Sequence, residues 1–231
     1  MNEFQLLKNY IATSDRQLVL NLVHLAKYKY LLADNFYLIN NLSYFVFNAV
    51  EKNALTNSYS FSTVEIMSSL FKTEITFAKE AIRYMEDYLH HPLATTDYLV
   101  LAELVIAANC QLNVNSHEQE NYLQLIHSLT TRIAFHVNLS RSSLFAEAPR
   151  LMRHIKYLAL RIIKEKFDSL DSDNELYFYV MKNYPRDFYT ENQLRAFITE
   201  NFDFDLSNDE ISYLVLHFHR LNRDYKIVVK E

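Results

Sequence analysis

The sequence predicts an all-α protein built as two tandem five-helix bundles, and three observations carry that prediction. The 231 residues contain no glycine and three prolines, where average usage would supply roughly sixteen glycines. Apolar residues recur at three- and four-residue steps along nearly every segment. Patterns of the first half also return in the second at a near-constant offset. Half the residues are hydrophobic and 22% are charged, the balance of a folded chain with a well-buried core. Without glycine a P-loop, a dinucleotide fingerprint or a nucleophile elbow cannot be written, because each needs a backbone that a Cβ obstructs. Tight hairpins are disfavoured for the same reason.

The elements follow in order. Leu18, Leu22, Leu25 and Ala26 mark the buried stripe of a helix over 17–32. Phe36, Ile39, Leu42, Phe45, Val46 and Ala49 mark another over 36–50. Ser60 and Thr63 offer caps for a helix over 64–71, with Glu65 in its first turn. A fourth amphipathic stretch, 73–89, ends at His90-His91-Pro92, and Thr95-Thr96-Asp97 caps the apolar run 98–108. Residues 109–120 lose the apolar period and read as a linker, which divides the chain into bundles at 1–112 and 113–231. Helices are expected beyond it over 121–137, 150–167, 174–183, 191–201 and 209–222. Residues 168–173 read as a polar connection and 205–210 as an N-cap cluster. Pro185 stops a helix at Tyr184, since its ring disfavours helical geometry in the residue before it. Residues 227–229 read as a short extended tail.

The repeat rests on three segments that agree. Tyr98-Leu99-Val100-Leu101 returns as Tyr213-Leu214-Val215-Leu216 at an offset of 115. Residues 66–70 lie opposite 180–184 at 114, and 42–46 lie opposite 155–159 at 113. Such offsets are those of two copies of one helical unit.

A net charge of −5 and a pI near 6.0 argue against a free-standing nucleic-acid binder, which shows a basic face. Cys110 is the single cysteine, so no intramolecular disulfide forms and a reducing compartment fits. It ends an apolar helix and is expected to be buried and inert. The first residues lack the layout of a signal peptide, and the apolar run 98–110 is too short to span a bilayer; a cytoplasmic location is the expectation. The 16 Phe and 17 Tyr are expected to fill the core.

Two histidines stand out. His154 and Arg161, seven residues apart, share a helical face. His217 has Glu210 two turns before it and Arg220 one turn after it. One reading makes each a half-buried histidine at a helix seam, with its arginine in solvent. The other makes the imidazoles phosphoryl acceptors, because a neutral imidazole is a competent nucleophile and arginine pairs well with a phosphoryl group. The other histidines carry less. His217 and His219 lie about 200° apart on a helix and cannot chelate one metal from one face. His90-His91 fits a helix end, and His24, His117, His127 and His136 show no carboxylate or histidine at ligand spacing. No metal or other cofactor is expected.

His154 with Arg161, then Tyr184-Pro185, then the run Asp209-Glu210-Ile211, Tyr213-Leu214 and Leu216-His217-Phe218 resembles the PTS regulation domain. This five-helix module controls bacterial antiterminators and activators of sugar operons. The resemblance is specific over 121–222, and the repeat extends it to 1–110 as a degenerate first copy. It implies that His154 and His217 receive phosphate from the histidine phosphocarrier protein or a sugar-specific transport enzyme, with Arg161 and Arg220 stabilising the phosphorylated form. The family histidines fall on Asn41 and Ala102 in the first unit, and the family arginine falls on Asn48, which implies a structural or dimerisation role there. A homodimer is implied, and nucleic acid is reached only through a separate domain, so the chain is part of a longer regulator or acts without one. On this reading the chain is a phosphotransfer substrate and not an enzyme. A scaffold that kept the bundle but lost signalling, and a small-molecule sensor with an aromatic pocket, are the alternatives.

Overall fold

The structure, a computed structural model, describes residues 13–53, 59–112, 117–164 and 174–228. Among these residues there are eleven helices and no strand, so the protein is all-α. In chain order they are α1 (Thr13–Tyr30), α2 (Phe36–Val50), α3 (Phe61–Leu70), α4 (Lys72–Leu89), α5 (Asp97–Cys110), α6 (Glu118–Val137), α7 (Arg141–Glu147), α8 (Pro149–Ile163), α9 (Glu175–Asn183), α10 (Pro185–Phe202) and α11 (Asn208–Val228). The chain forms two compact units, Met1–Leu123 and Gln124–Glu231, and the division falls within α6.

In the first unit α5 is the central element, packed against α2, α3 and α4, while α1 packs on α2 and α4. Its composition explains its place. Every residue from Leu99 to Ala108 is buried, so α5 has no polar face to turn outward. Asn109 ties neighbouring segments to its end: its Oδ1 accepts from the Ala33 amide at 3.1 Å, and its Nδ2 donates to Glu74 at 3.0 Å. In the second unit α11 packs against α9 and α10, α9 against α10, and α7 against α8. Ile211, Leu214, Val215, Phe218 and Leu221 form the buried stripe of α11, and Leu151, Met152, Ile155, Leu158, Ala159 and Ile162 that of α8. Each of these except Ala159 contributes roughly 1.5–3 kcal/mol when fully buried.

Several helix starts are made by the expected chemistry. Ser60 Oγ accepts from the Thr63 amide at 3.1 Å, and Asn35 Oδ1 accepts from Leu38 at 2.9 Å, each satisfying an amide with no intrahelical partner. Pro185 does stop α9 at Asn183, and it also opens α10 at the first helical position. Its fixed φ suits that place, so α10 begins six residues before the expected 191. The short α7 went unforeseen. Seven residues barely hold two turns, too few for the apolar period to register, although the Ser140 cap, accepting from Ser143 at 3.0 Å, is a legible start signal.

Four expectations are corrected. Thr96 makes no capping hydrogen bond at α5; instead Asp97 Oδ2 accepts from the Ala94 amide at 2.9 Å. Ile227 and Val228 are helical, not extended, because α11 simply continues; Val229 lies outside the described residues, as do 113–116 of the expected linker and all of 168–173. Cys110 is half-buried, since it sits in the last turn of α5 where the apolar face runs out. The aromatic residues are largely not core. Among the described residues Phe45, Phe71, Phe77, Tyr122, Phe204 and Phe218 are buried, but Tyr28, Phe61, Phe135, Tyr157, Phe178 and Tyr189 stand exposed, and aliphatic side chains fill most of the interior.

The lack of glycine has a local cost. Leu31, Lys52, His90, Gln111, His117, Asn138 and Asp203 all take positive φ. Gln111 closes α5 at φ 53° and ψ 40°, with Leu112 N bonded to Ala107 O at 2.8 Å and Gln111 N to Ala108 O at 3.1 Å, the six-to-one and five-to-two bonds of a Schellman end. A side chain in this region costs about 1 kcal/mol relative to glycine. Gln111→Gly is therefore expected to raise stability by about 1 kcal/mol, read as a higher urea midpoint at unchanged slope. An unchanged or lower midpoint would contradict the assignment.

Candidate functional site: a paired-histidine cleft

The site lies between α8 and α11, and helical periodicity builds both of its walls. On α8, Arg150, Arg153, His154, Tyr157 and Arg161 fall on the stripe beside the buried one. On α11, Glu210, Tyr213, His217 and Arg220 do the same. Among the described residues the two helices do not pack closely backbone to backbone, so long side chains span the gap. The result is a cleft of about 700 Å³ lined by these residues together with Ser207, Asp209 and Leu216.

Both expected histidines are in this cleft, half-buried, with ring centroids 6.3 Å apart and an interplanar angle of 28°. Tyr213 joins them, its ring 5.2 Å from each imidazole. Arg161 and Arg220 also line the cleft. Arg161 does not lie in solvent as the seam reading had it: its guanidinium bonds to Glu210 Oε1 across the gap. The other oxygen of Glu210 lies 2.7 Å from His154 Nε2. Both of those atoms are buried, and the approach is oblique to the ring N–H, a charge contact rather than a linear hydrogen bond.

Glu210 holds a particular place in its helix. Ser207 Oγ accepts from the Glu210 amide at 3.3 Å, which makes Ser207 the cap and Glu210 the third helical residue. That is the spacing of a capping box, in which the glutamate would reach back to the cap amide. Here the carboxylate turns to His154 and Arg161 instead. Burial would raise the Glu210 carboxyl, but the contacts and charges of His154 and Arg161 outweigh it and hold the group below its ordinary value. It is therefore ionised at neutral pH.

His217 is shifted down from its ordinary 6.5, first by burial and then by the charges of His154, Arg220 and Arg150. Its imidazole is neutral at pH 7, the form that carries a lone pair. A depressed folded pKa makes its contribution to stability complete above 6.5 and lost as pH falls through the folded value. A histidine-resolved NMR titration is expected to place the His217 midpoint below that of the same residue in the unfolded chain. A midpoint at or above 6.5 would contradict the desolvated, arginine-ringed environment.

Residues on the same stripes as the histidines (Arg150, Arg153, Tyr157 and Tyr213) were not singled out from sequence. The spacing placed them beside His154 and His217, but nothing in one sequence states that α8 and α11 face each other. His219 belongs elsewhere. Its Nδ1 bonds to the buried Asp187 Oδ2 at 3.0 Å, Asn222 donates to the other oxygen at 2.6 Å, and Tyr184 stacks on the ring at 4.0 Å. His217 and His219 thus serve separate clusters. His117 does find a carboxylate, Glu120 at 3.5 Å one turn on, which corrects the expectation for that residue, while His127 bonds Arg141.

In the first unit, Asn41 is buried and donates to the Leu104 carbonyl at 2.8 Å, Ala102 is fully buried, and Asn48 donates to the Tyr44 carbonyl at 2.8 Å. These three positions are closed by local packing. Among the described residues no group of His, Cys, Asp and Glu has the arrangement of a metal site, and no helix is long and apolar enough to cross a membrane.

An all-helical unit whose two imidazoles share an arginine-rimmed cleft defines a class of module suited to taking up an anionic group. Residues 132–221, from within α6 to within α11, match the family model described as PRD domain. The match is consistent with a PTS regulation domain region over this segment.

Proposed function

We propose that the second unit senses phosphorylation for a sugar-operon transcriptional regulator, either an antiterminator or an activator. His154 and His217 accept phosphoryl groups from the phosphocarrier protein or a sugar-specific transport enzyme of the phosphotransferase system. The observation that carries this reading is the pairing of the two imidazoles, 6.3 Å apart, in one arginine-lined cleft. A phosphoryl group adds nearly two negative charges. Placed between α8 and α11, that charge competes with Glu210 for Arg161 and gains Arg150, Arg153 and Arg220 as further partners. The altered pairing shifts a monomer–dimer equilibrium, and a few kcal/mol suffices for a useful switch. The chain acts as a cytoplasmic phosphotransfer substrate, not an enzyme, and reaches nucleic acid through another domain. The first unit serves as a degenerate structural copy; the closed positions at Asn41 and Ala102 support that role.

The test is incubation with a phosphocarrier protein charged from phosphoenolpyruvate, followed by mapping of acid-labile adducts and by sedimentation. Adducts on His154 or His217 with a changed oligomeric state are expected. If neither histidine is modified, the bundle is a scaffold and this proposal fails.

A further inference from the structure

From the geometry around Glu210 we infer that this residue positions His154 for reaction and fixes Nδ1 as the nitrogen that takes the phosphoryl group. The inference rests on the phosphoryl-acceptor reading of His154 and goes beyond it, to the atom and to the residue that selects it.

His154 Nε2 is buried and faces Glu210 Oε2 at 2.7 Å. A carboxylate oxygen this close repels a ring lone pair, so even in an oblique contact the facing nitrogen is the one that carries the proton. It can neither be reached by a donor nor offer a lone pair. Nδ1 is the remaining nitrogen, and its lone pair is the ring's only nucleophilic electron pair. Three features hold the ring in this pose: the carboxylate at one edge, Tyr213 5.2 Å away and His217 6.3 Å away. Arg161 anchors the carboxylate from its second oxygen, and the oxygen pair therefore cannot swing back to complete the capping box. The arrangement has the logic of a carboxylate behind a reacting imidazole, where the acid sets the tautomer and compensates the cation that forms.

In the transfer step the Nδ1 lone pair forms the new N–P bond. The N–P bond of the donor phosphohistidine breaks; the donor ring, protonated at its other nitrogen, takes back the electron pair and leaves as a neutral imidazole. The acceptor ring still holds its Nε2 proton and so becomes an N-phosphoimidazolium. Glu210 lies against that cation and offsets its charge. The Nε2 proton stays on the ring beside Glu210, so the product is the phosphoryl dianion on an imidazolium whose charge the carboxylate balances.

The experiment uses the full chain with ¹⁵N-labelled histidine. It is phosphorylated in one arm by the phosphocarrier protein charged from phosphoenolpyruvate, and in the other by phosphoramidate, which needs no protein docking. Long-range ¹H–¹⁵N correlation on the native protein identifies the modified nitrogen. Phosphorylation of His154 at Nδ1 is expected. Phosphorylation at Nε2 would overturn this inference while leaving the acceptor reading intact. An unmodified His154 in both arms would overturn the acceptor reading for this residue, and this inference with it. In a second measurement Glu210→Gln is expected to slow transfer to His154 by about 10- to 100-fold, with transfer to His217 in the same sample changed by less than about threefold. An equal loss at both histidines would show that Glu210 only supports the fold. If the variant does not fold, the choice of nitrogen in the unsubstituted protein still decides the matter.

Discussion

Glu191→Gln is expected to raise the stability of the second unit at pH 8 by about 3 kcal/mol and to leave it nearly unchanged at pH 5. Glu191 lies on α10, fully buried, and neither carboxylate oxygen finds a hydrogen-bond partner among the described residues. Burial pushes its carboxyl from 4.5 up to about 7, against a smaller opposing pull from Arg195. A folded pKa above the unfolded one means the folded state binds the proton more tightly. The stability this confers is complete below 4.5 and is lost as pH rises through about 7. A difference of this size corresponds to about 3 kcal/mol. Gln keeps the shape and removes the ionisation, so the gain over the parent should appear only on the alkaline side. Denaturant titrations of both proteins from pH 5 to 8 measure it. Parallel curves would show that Glu191 finds compensation that the buried position does not provide.

Phe218→Ala is expected to cost about 3–5 kcal/mol, the usual range for removing a fully buried phenylalanine. Phe218 sits in the middle of the buried stripe of α11, one residue after His217. The helix it anchors packs on both α9 and α10, so the cavity left behind cannot close without shifting α11. That shift also moves His217 and Glu210 relative to α8. Hydrogen exchange at the α11 amides should accelerate toward the limit set by global unfolding, and the paired-histidine NMR signals should lose their mutual ring-current shifts. A loss below about 1 kcal/mol would mean that the α11 stripe is not the core of this unit.

Much of this architecture was legible in the residues because helices announce themselves locally. The stripe 42, 45, 46, 49 reads directly as a buried face, and Ser60 as a cap, since both signals are spelled within a few positions. The seven residues of α7 hold too few turns to show a period. The early start of α10 was hidden because a proline that stops one helix can also begin the next. The aromatic residues misled for another reason: composition records what a chain contains but not which face it occupies.

The site divides along the same line. Shared faces within one helix, His154 with Arg161 and Glu210 with His217, followed from spacing alone. The pairing between helices did not. Residues 205–210 read in sequence only as an N-cap cluster, and only the approach of α8 turns the Glu210 carboxylate toward His154 and Arg161. The cleft exists because two stripes meet, and meeting is a property of the fold.

The most direct test of the central claim compares radiolabelled phosphoryl transfer from the charged phosphocarrier protein to the unsubstituted chain, to each single variant, and to the double variant His154→Ala with His217→Ala. Circular dichroism would confirm that all four are helical. The account predicts a label in the parent, a partial label in each single variant and none in the double variant. A label that survives in the double variant, or that never appears in the parent, would contradict it.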